Sequence, residues 1–77
     1  MVYIIYYHSG RQAMKSISII IPVYNNPEKL KLTLDSILAQ KFPLEELEVL
    51  IVDDGSQIDM KSIAEEYADR ISVRYFW

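Results

Sequence analysis

Two short polar clusters hold the residues best suited to chemistry in this 77-residue chain. The largely apolar run 17–21 stops at Pro22-Val23-Tyr24-Asn25-Asn26, and a second run, 49–52, stops at Asp53-Asp54-Gly55-Ser56. A tyrosine ring just beyond a strand can stack on a nucleobase, an interaction worth about 1–3 kcal/mol per base in single-strand binders. A carboxylate in the same place can accept the imide N–H of uracil, and a hydrogen bond to a charged group contributes roughly 1.5–3 kcal/mol. It would reject cytosine, whose ring nitrogen there carries no proton. Both clusters also have plainer readings: Tyr24 can close the top edge of a sheet, and Asp-Gly and Gly-Ser are common turn formers. Of the two carboxylates, one is expected to point inward and brace the loop. Asp54 is expected to face a ligand.

Other chemistries fit less well. Two adjacent carboxylates are thin for Mg²⁺ or Mn²⁺, although substrate phosphates and water can complete a shell. As general acid and base they lack a third residue to orient them. His8 is the single histidine and lies in a polar, loop-like stretch. Gly10 and Gly55 are the only glycines, so there is neither a G-x-G-x-x-G motif nor a P-loop. Phospho-acceptor receiver domains cluster acids after the first strand, where this chain has Pro-Val-Tyr-Asn. Cysteine is absent, which excludes disulfides and thiolate metal sites. Net charge is −3 with a pI near 4.9 and no basic cluster, which argues against a nucleic-acid partner. The apolar stretches are far shorter than the roughly 18 residues of a membrane span.

The elements that would position these residues follow from periodicity. Residues 16–23 and 47–52 read as buried parallel strands covered on both faces. Pro22 is tolerated where pairing stops. Asn26-Pro27 reads as a helix cap and first position, with Leu30, Leu34, Ile37 and Leu38 on one stripe and Pro43 ending the element. Asp59 is placed as the cap of a second helix whose apolar face is Met60, Ile63, Ala64 and Tyr67. The charges Lys29, Lys31, Asp35, Glu65 and Glu66 are placed on solvated faces. Residues 71–76 read as a third strand, with Ile71, Val73 and Tyr75 on one side. The result is an α/β fold with an open parallel sheet, β-α-β-α-β, right-handed crossovers and the order 3-2-1, the first strand being an open edge. Ligands of such sheets bind beyond the carboxyl ends of the strands. Residues 1–15 read as an irregular leader, within which 2–7 has strand composition.

Three segments in order carry a resemblance: Ser18-Ile19-Ile20-Ile21-Pro22-Val23-Tyr24-Asn25, then Leu30…Leu34-Asp35-Ser36-Ile37-Leu38-Ala39-Gln40, then Glu48-Val49-Leu50-Ile51-Val52-Asp53-Asp54-Gly55-Ser56. Together they resemble the start of a family 2 glycosyltransferase, over residues 16–76. The resemblance implies the nucleotide-binding half of a GT-A (Rossmann-like) domain and transfer of a sugar from a nucleotide-diphosphate donor, UDP being the expected nucleotide. It implies a nucleotide-binding set of Pro22, Tyr24, Asp53 and Asp54, with Tyr24 near the base, Pro22 in the same backbone stretch, Asp54 reading uracil and Asp53 beside it. It also implies a divalent metal (Mg²⁺ or Mn²⁺) for the full-length relative, a cytoplasmic or membrane-peripheral location, and a role in surface polysaccharide or glycan synthesis.

The family carries its metal-binding acid after the next strand and its catalytic base further on. The expectation is therefore a truncated donor-binding part, 16–77, with no metal site and no transfer alone, and with the missing C-terminal half as a partner. The alternatives are a non-catalytic UDP-binding module and a partner-dependent half-domain. Met14 is a natural alternative start, because the family pattern opens within a few residues of its first methionine.

Overall fold

The computed structural model describes residues 4–7 and 17–77. The expectations placed on His8 and Met14 lie outside the described residues. The elements are β1 (Ile4–Tyr7), β2 (Ile17–Val23), α1 (Pro27–Leu38), a single 3₁₀ turn at Leu44–Glu46, β3 (Leu47–Asp53), α2 (Lys61–Tyr67) and β4 (Ser72–Phe76). They form one sheet of order β1-β2-β3-β4. Strands β2, β3 and β4 are parallel, so the expected α/β architecture and strand order are present.

Two features of the sheet differ from expectation. The outer edge of β2 is not open: β1 pairs with it antiparallel, Ile5 opposite Ile19 and Tyr7 opposite Ile17. An antiparallel edge strand on a parallel sheet is common, and it satisfies backbone groups that an apolar edge would leave exposed. Nor are β2 and β3 covered on both faces. Ile19, Ile21 and Val23 are buried, as are Leu47, Val49 and Ile51, while Ile20 and Leu50 are half-buried and Pro22 and Val52 exposed. The cause is topological. Two right-handed crossovers that step in the same direction place both helices on the same side of the sheet.

The covered side is a single core. Each helix contributes an apolar stripe, Leu30, Leu34 and Ile37 from α1 and Ile63, Ala64 and Tyr67 from α2. Ile21, Val49, Ile51, Leu30, Leu34 and Met60 are its most deeply buried side chains. Full burial of an aliphatic side chain contributes about 1.5–3 kcal/mol, so these six hold the helices onto the strands.

Helix α1 starts where the sequence predicts. Asn26 Oδ1 accepts the Lys29 amide at 3.2 Å, and Pro27 occupies the first turn, where its missing N–H costs nothing. The helix ends at Leu38, before the expected stop at Pro43. Its last bonds run from Ala39 N to Asp35 O and from Gln40 N to Ile37 O, a tightening common at helix ends. Pro43 instead opens the 3₁₀ turn by accepting the Glu46 amide at 3.0 Å. Regular α2 begins at Lys61, yet Asp59 performs the capping. Its carboxylate accepts the Ser62 amide at 3.1 Å and the Ser62 hydroxyl at 2.5 Å. Asp35, expected on a solvated face, has a structural task. Its Oδ1 accepts the Tyr67 hydroxyl at 2.7 Å and so joins the two helices.

Candidate functional site

The carboxyl ends of β2 and β3 meet in a continuous parallel register that finishes at Val23 opposite Asp53. The Asp54 amide extends it by donating to the Val23 carbonyl at 3.0 Å. The next residues along, Tyr24 and Asp54, are therefore neighbours on adjacent chains, whose spacing in a sheet is about 4.8 Å. Side chains alternate along a strand, so Pro22 and Val52 belong to the face away from the helices and Asp53 to the core face, while Tyr24 and Asp54 follow in the bends just beyond the strands. Exposure agrees: Tyr24 is 59% exposed and Asp54 is exposed, whereas Asp53 is 4% exposed. The inward–outward split of the two carboxylates is thus present. A cleft of about 130 Å³ beside Tyr24 is lined by Pro22, Tyr24, Asn26 and Lys29.

Asp53 has every reason to stay charged although it is buried. Burial raises its pKa, but the hydroxyls of Ser56 and Tyr75 and the amides of Ser56 and Gly55 outweigh it and hold the carboxyl below its usual range. The Ser56 amide lies 2.8 Å from Oδ1, and the Tyr75 hydroxyl donates to Oδ2. Tyr75 responds in the opposite sense. Burial, the bond to Asp53 and the charge of Asp53 push its pKa up to about 12. A buried carboxylate with several donors is the arrangement in which a desolvated charge is tolerated. Gly55, at φ +84°, makes the turn between Asp54 and Ser56, and an L side chain there would be strained.

The two loops are also tied across the sheet. Asn25 sits at φ +47°, a left-handed conformation that asparagine tolerates better than most residues. Its amide donates to Ser56 Oγ at 2.8 Å. Its Oδ1 accepts the amides of Gln57 at 2.7 Å and Ile58 at 3.3 Å. Asn25, Ser56 and Tyr75 were not among the site residues read from the sequence. Tyr75 was marked only as part of one side of the third strand; its pairing with Ile51, two residues before Asp53, appears in the sheet register. Asn25 had no signal that separates it from an ordinary turn residue.

Both oxygens of Asp53 are engaged from within the protein, which leaves Asp54 as a single carboxylate. Among the described residues no group of three or more acids or histidines is placed to share a cation. An exposed tyrosine and an exposed carboxylate at adjoining strand ends are what the arrangement supplies, with Lys29 lining the cleft beside Tyr24. None of the described helices is long and apolar enough to cross a membrane.

Comparison with known proteins is consistent along the chain. Residues 18–76 match the family described as Glycosyl transferase family 2. The chain is similar to Glycosyltransferase AglE of Haloferax volcanii, 42% identical over 52 residues that make up 68% of this chain and 17% of that protein. It is similar to Validoxylamine A glucosyltransferase of Streptomyces hygroscopicus, 36% identical over 59 residues, 77% of this chain and 14% of that protein. It is also similar to Poly(ribitol-phosphate) beta-N-acetylglucosaminyltransferase TarS of Staphylococcus aureus, 34% identical over 61 residues, 79% and 11% of the two chains. The chain thus spans less than a fifth of the length of these relatives.

Proposed function

The chain belongs to glycosyl transferase family 2, and from that membership we propose that it reads the nucleobase of a nucleotide-diphosphate sugar, with uridine as the base. The observation that supports this reading is the register Val23–Asp53, after which an exposed tyrosine and an exposed carboxylate follow directly on adjoining strand ends. The uracil ring lies on Tyr24, beside Pro22, and its N3–H donates to the Asp54 carboxylate. Asp53 does not touch the ligand. It holds the turn that carries Asp54.

Stacking at about 1–3 kcal/mol and a charged hydrogen bond at roughly 1.5–3 kcal/mol together reach only a few kcal/mol. Binding to this chain is accordingly weak, on the order of millimolar to high micromolar. Sugar transfer is assigned to family residues outside the segment 18–76, namely the metal-holding acid and the catalytic base. TarS is named for transfer to poly(ribitol-phosphate), and we place the donor of this chain in comparable glycan synthesis on the cytoplasmic side.

Titration of the chain with UDP and with CDP, followed by amide NMR, tests the reading. UDP should perturb residues around Tyr24 and Asp54 and bind at least tenfold tighter than CDP, and Asp54→Ala should remove the preference. Equal affinity for both nucleotides, or unchanged uridine preference in Asp54→Ala, rejects it.

A second reading has its own observation. The sheet face away from the helices presents half-buried Ile20 and Leu50 beside Val52 at 41% and Phe76 at 42% exposure. An apolar face of this kind suits a partner-dependent half-domain whose second half is supplied by another polypeptide. Sedimentation of the isolated chain separates the two: a well-folded monomer favours the binding module, and concentration-dependent association favours the half-domain.

A further inference from the structure

The exposed pair Tyr24 and Asp54 has little packing of its own to fix where it points. Its geometry is inherited from the two backbones that carry it, and beyond the bond from the Asp54 amide to the Val23 carbonyl these are tied across the sheet through Asn25. Asn25 follows Tyr24 directly, and it makes three hydrogen bonds to the segment just after Asp54, to Ser56 Oγ at 2.8 Å and from the Gln57 and Ile58 amides at 2.7 and 3.3 Å. Ser56 in turn is anchored through its amide to buried Asp53, the residue before Asp54.

We infer that Asn25 is a positioning residue for base selectivity: its latch onto residues 56–58 sets the placement of the Tyr24 ring relative to the Asp54 carboxylate, and thereby the preference for uracil over cytosine. The inference rests on the nucleobase reading above and adds to it the residue that fixes the geometry. Two chemical facts carry it. Stacking tolerates lateral sliding because every base has a π-face, so Tyr24 alone selects little. A hydrogen bond weakens steeply with angle and distance, so the discrimination made by Asp54 depends on where the stacked ring is held. If the latch is released, the base can still stack, but its N3 edge no longer meets the carboxylate at a fixed distance. Nucleotide affinity then falls modestly, whereas the UDP:CDP ratio falls steeply.

Asparagine is suited to the task on two counts. It adopts positive φ, and its carboxamide oxygen accepts two amides at once. Asn25→Gly preserves the backbone conformation and removes the acceptor. Ser56→Ala removes the other arm, and Ser56→Thr keeps the hydroxyl. The readout is the ratio of UDP to CDP affinity measured by amide NMR on the folded chain, with hydrogen exchange of the Gln57 and Ile58 amides recorded on the same samples. A merely structural role would lower the folded fraction and scale both affinities together, leaving their ratio unchanged.

The expected result is a ratio reduced at least threefold in Asn25→Gly and Ser56→Ala, faster exchange at Gln57 and Ile58 in Asn25→Gly, and recovery of the ratio in Ser56→Thr. If Asn25→Gly does not fold, Ser56→Ala and Ser56→Thr decide alone. A wild-type ratio in the folded latch variants, with Asp54→Ala still abolishing the preference, overturns this inference and leaves the nucleobase reading standing. A wild-type chain without uridine preference overturns both.

Discussion

Replacing Tyr75 with phenylalanine tests the buried centre of the site through its pH dependence. The hydroxyl donates to Asp53 Oδ2, and Asp53 is only 4% exposed, so the variant leaves a buried carboxylate oxygen short of a donor. A hydrogen bond to a charged group contributes roughly 1.5–3 kcal/mol. The phenol agrees in direction: its pKa is pushed up to about 12, first by burial and then by the bond to Asp53 and its charge. A loss of about 2 kcal/mol is expected at neutral pH. For a domain of this size the loss lowers Tm by roughly 10 °C.

The two ends of the pH scale then separate the partners. Tyr75 has a folded pKa above its unfolded value, so its contribution is full below pH 10 and is lost as pH rises from 10 towards 12. Asp53 has a folded pKa below its unfolded value, so its contribution is present above about pH 4 and is lost as pH falls through the folded value. Tyr75→Phe removes the first dependence entirely and shrinks the second, because one of the donors that lower the Asp53 pKa is gone. Urea denaturation of both proteins at pH 3, 7, 10.5 and 11.5 measures this, and the difference between them cancels the other five tyrosines. The stability gap should be widest near neutrality and narrow in both directions. A constant offset across the range, or no loss at pH 7, refutes the assignment of the bond.

Two substitutions elsewhere check the frame. Leu34→Ala, at a side chain 1% exposed between α1 and the sheet, should cost about 2–5 kcal/mol, read as a large fall in the denaturation midpoint or loss of the cooperative transition. Asn26→Ala removes the acceptor of the Lys29 amide and should cost about 1 kcal/mol, visible in urea melts and as faster amide exchange in the first turn of α1.

Much of this fold was legible because its signals are local. Asn26-Pro27 starts a helix by side-chain chemistry that needs no partner, and Leu30, Leu34 and Ile37 mark the buried stripe by spacing alone. The one-sided burial of β2 and β3 departs from the sequence expectation for a physical reason. A run such as Ile19-Ile20-Ile21 has the same apolarity whether one face is covered or two, and the number of layers is decided by where the crossovers go. The strand β1 was legible as composition, but its pairing to β2 was not, since an antiparallel edge partner leaves no periodic mark in either strand. Asp35 illustrates the converse. It lies on the polar side of its helix by spacing, and only the packing of α2 reveals that its carboxylate receives the Tyr67 hydroxyl.

The site divides along the same line, and the division has a mechanical meaning. Tyr24 and Asp54 were readable because ring and carboxylate types at two strand ends advertise a chemistry by themselves. Asn25 and Tyr75 were not, because each acts through a contact more than 20 residues away in sequence, and Ser56 adds such a contact to its local bond with Asp53. On the proposed nucleobase reading, these concealed residues make the readable ones usable. An exposed carboxylate on a free loop would sample many positions and discriminate poorly between uracil and cytosine. Here the turn that carries it is held by a buried charge on one side and by Asn25 on the other. A change at Asn25 or Tyr75 should therefore act on Asp54 without touching the ligand, and the loss should be seen in selectivity before it is seen in binding.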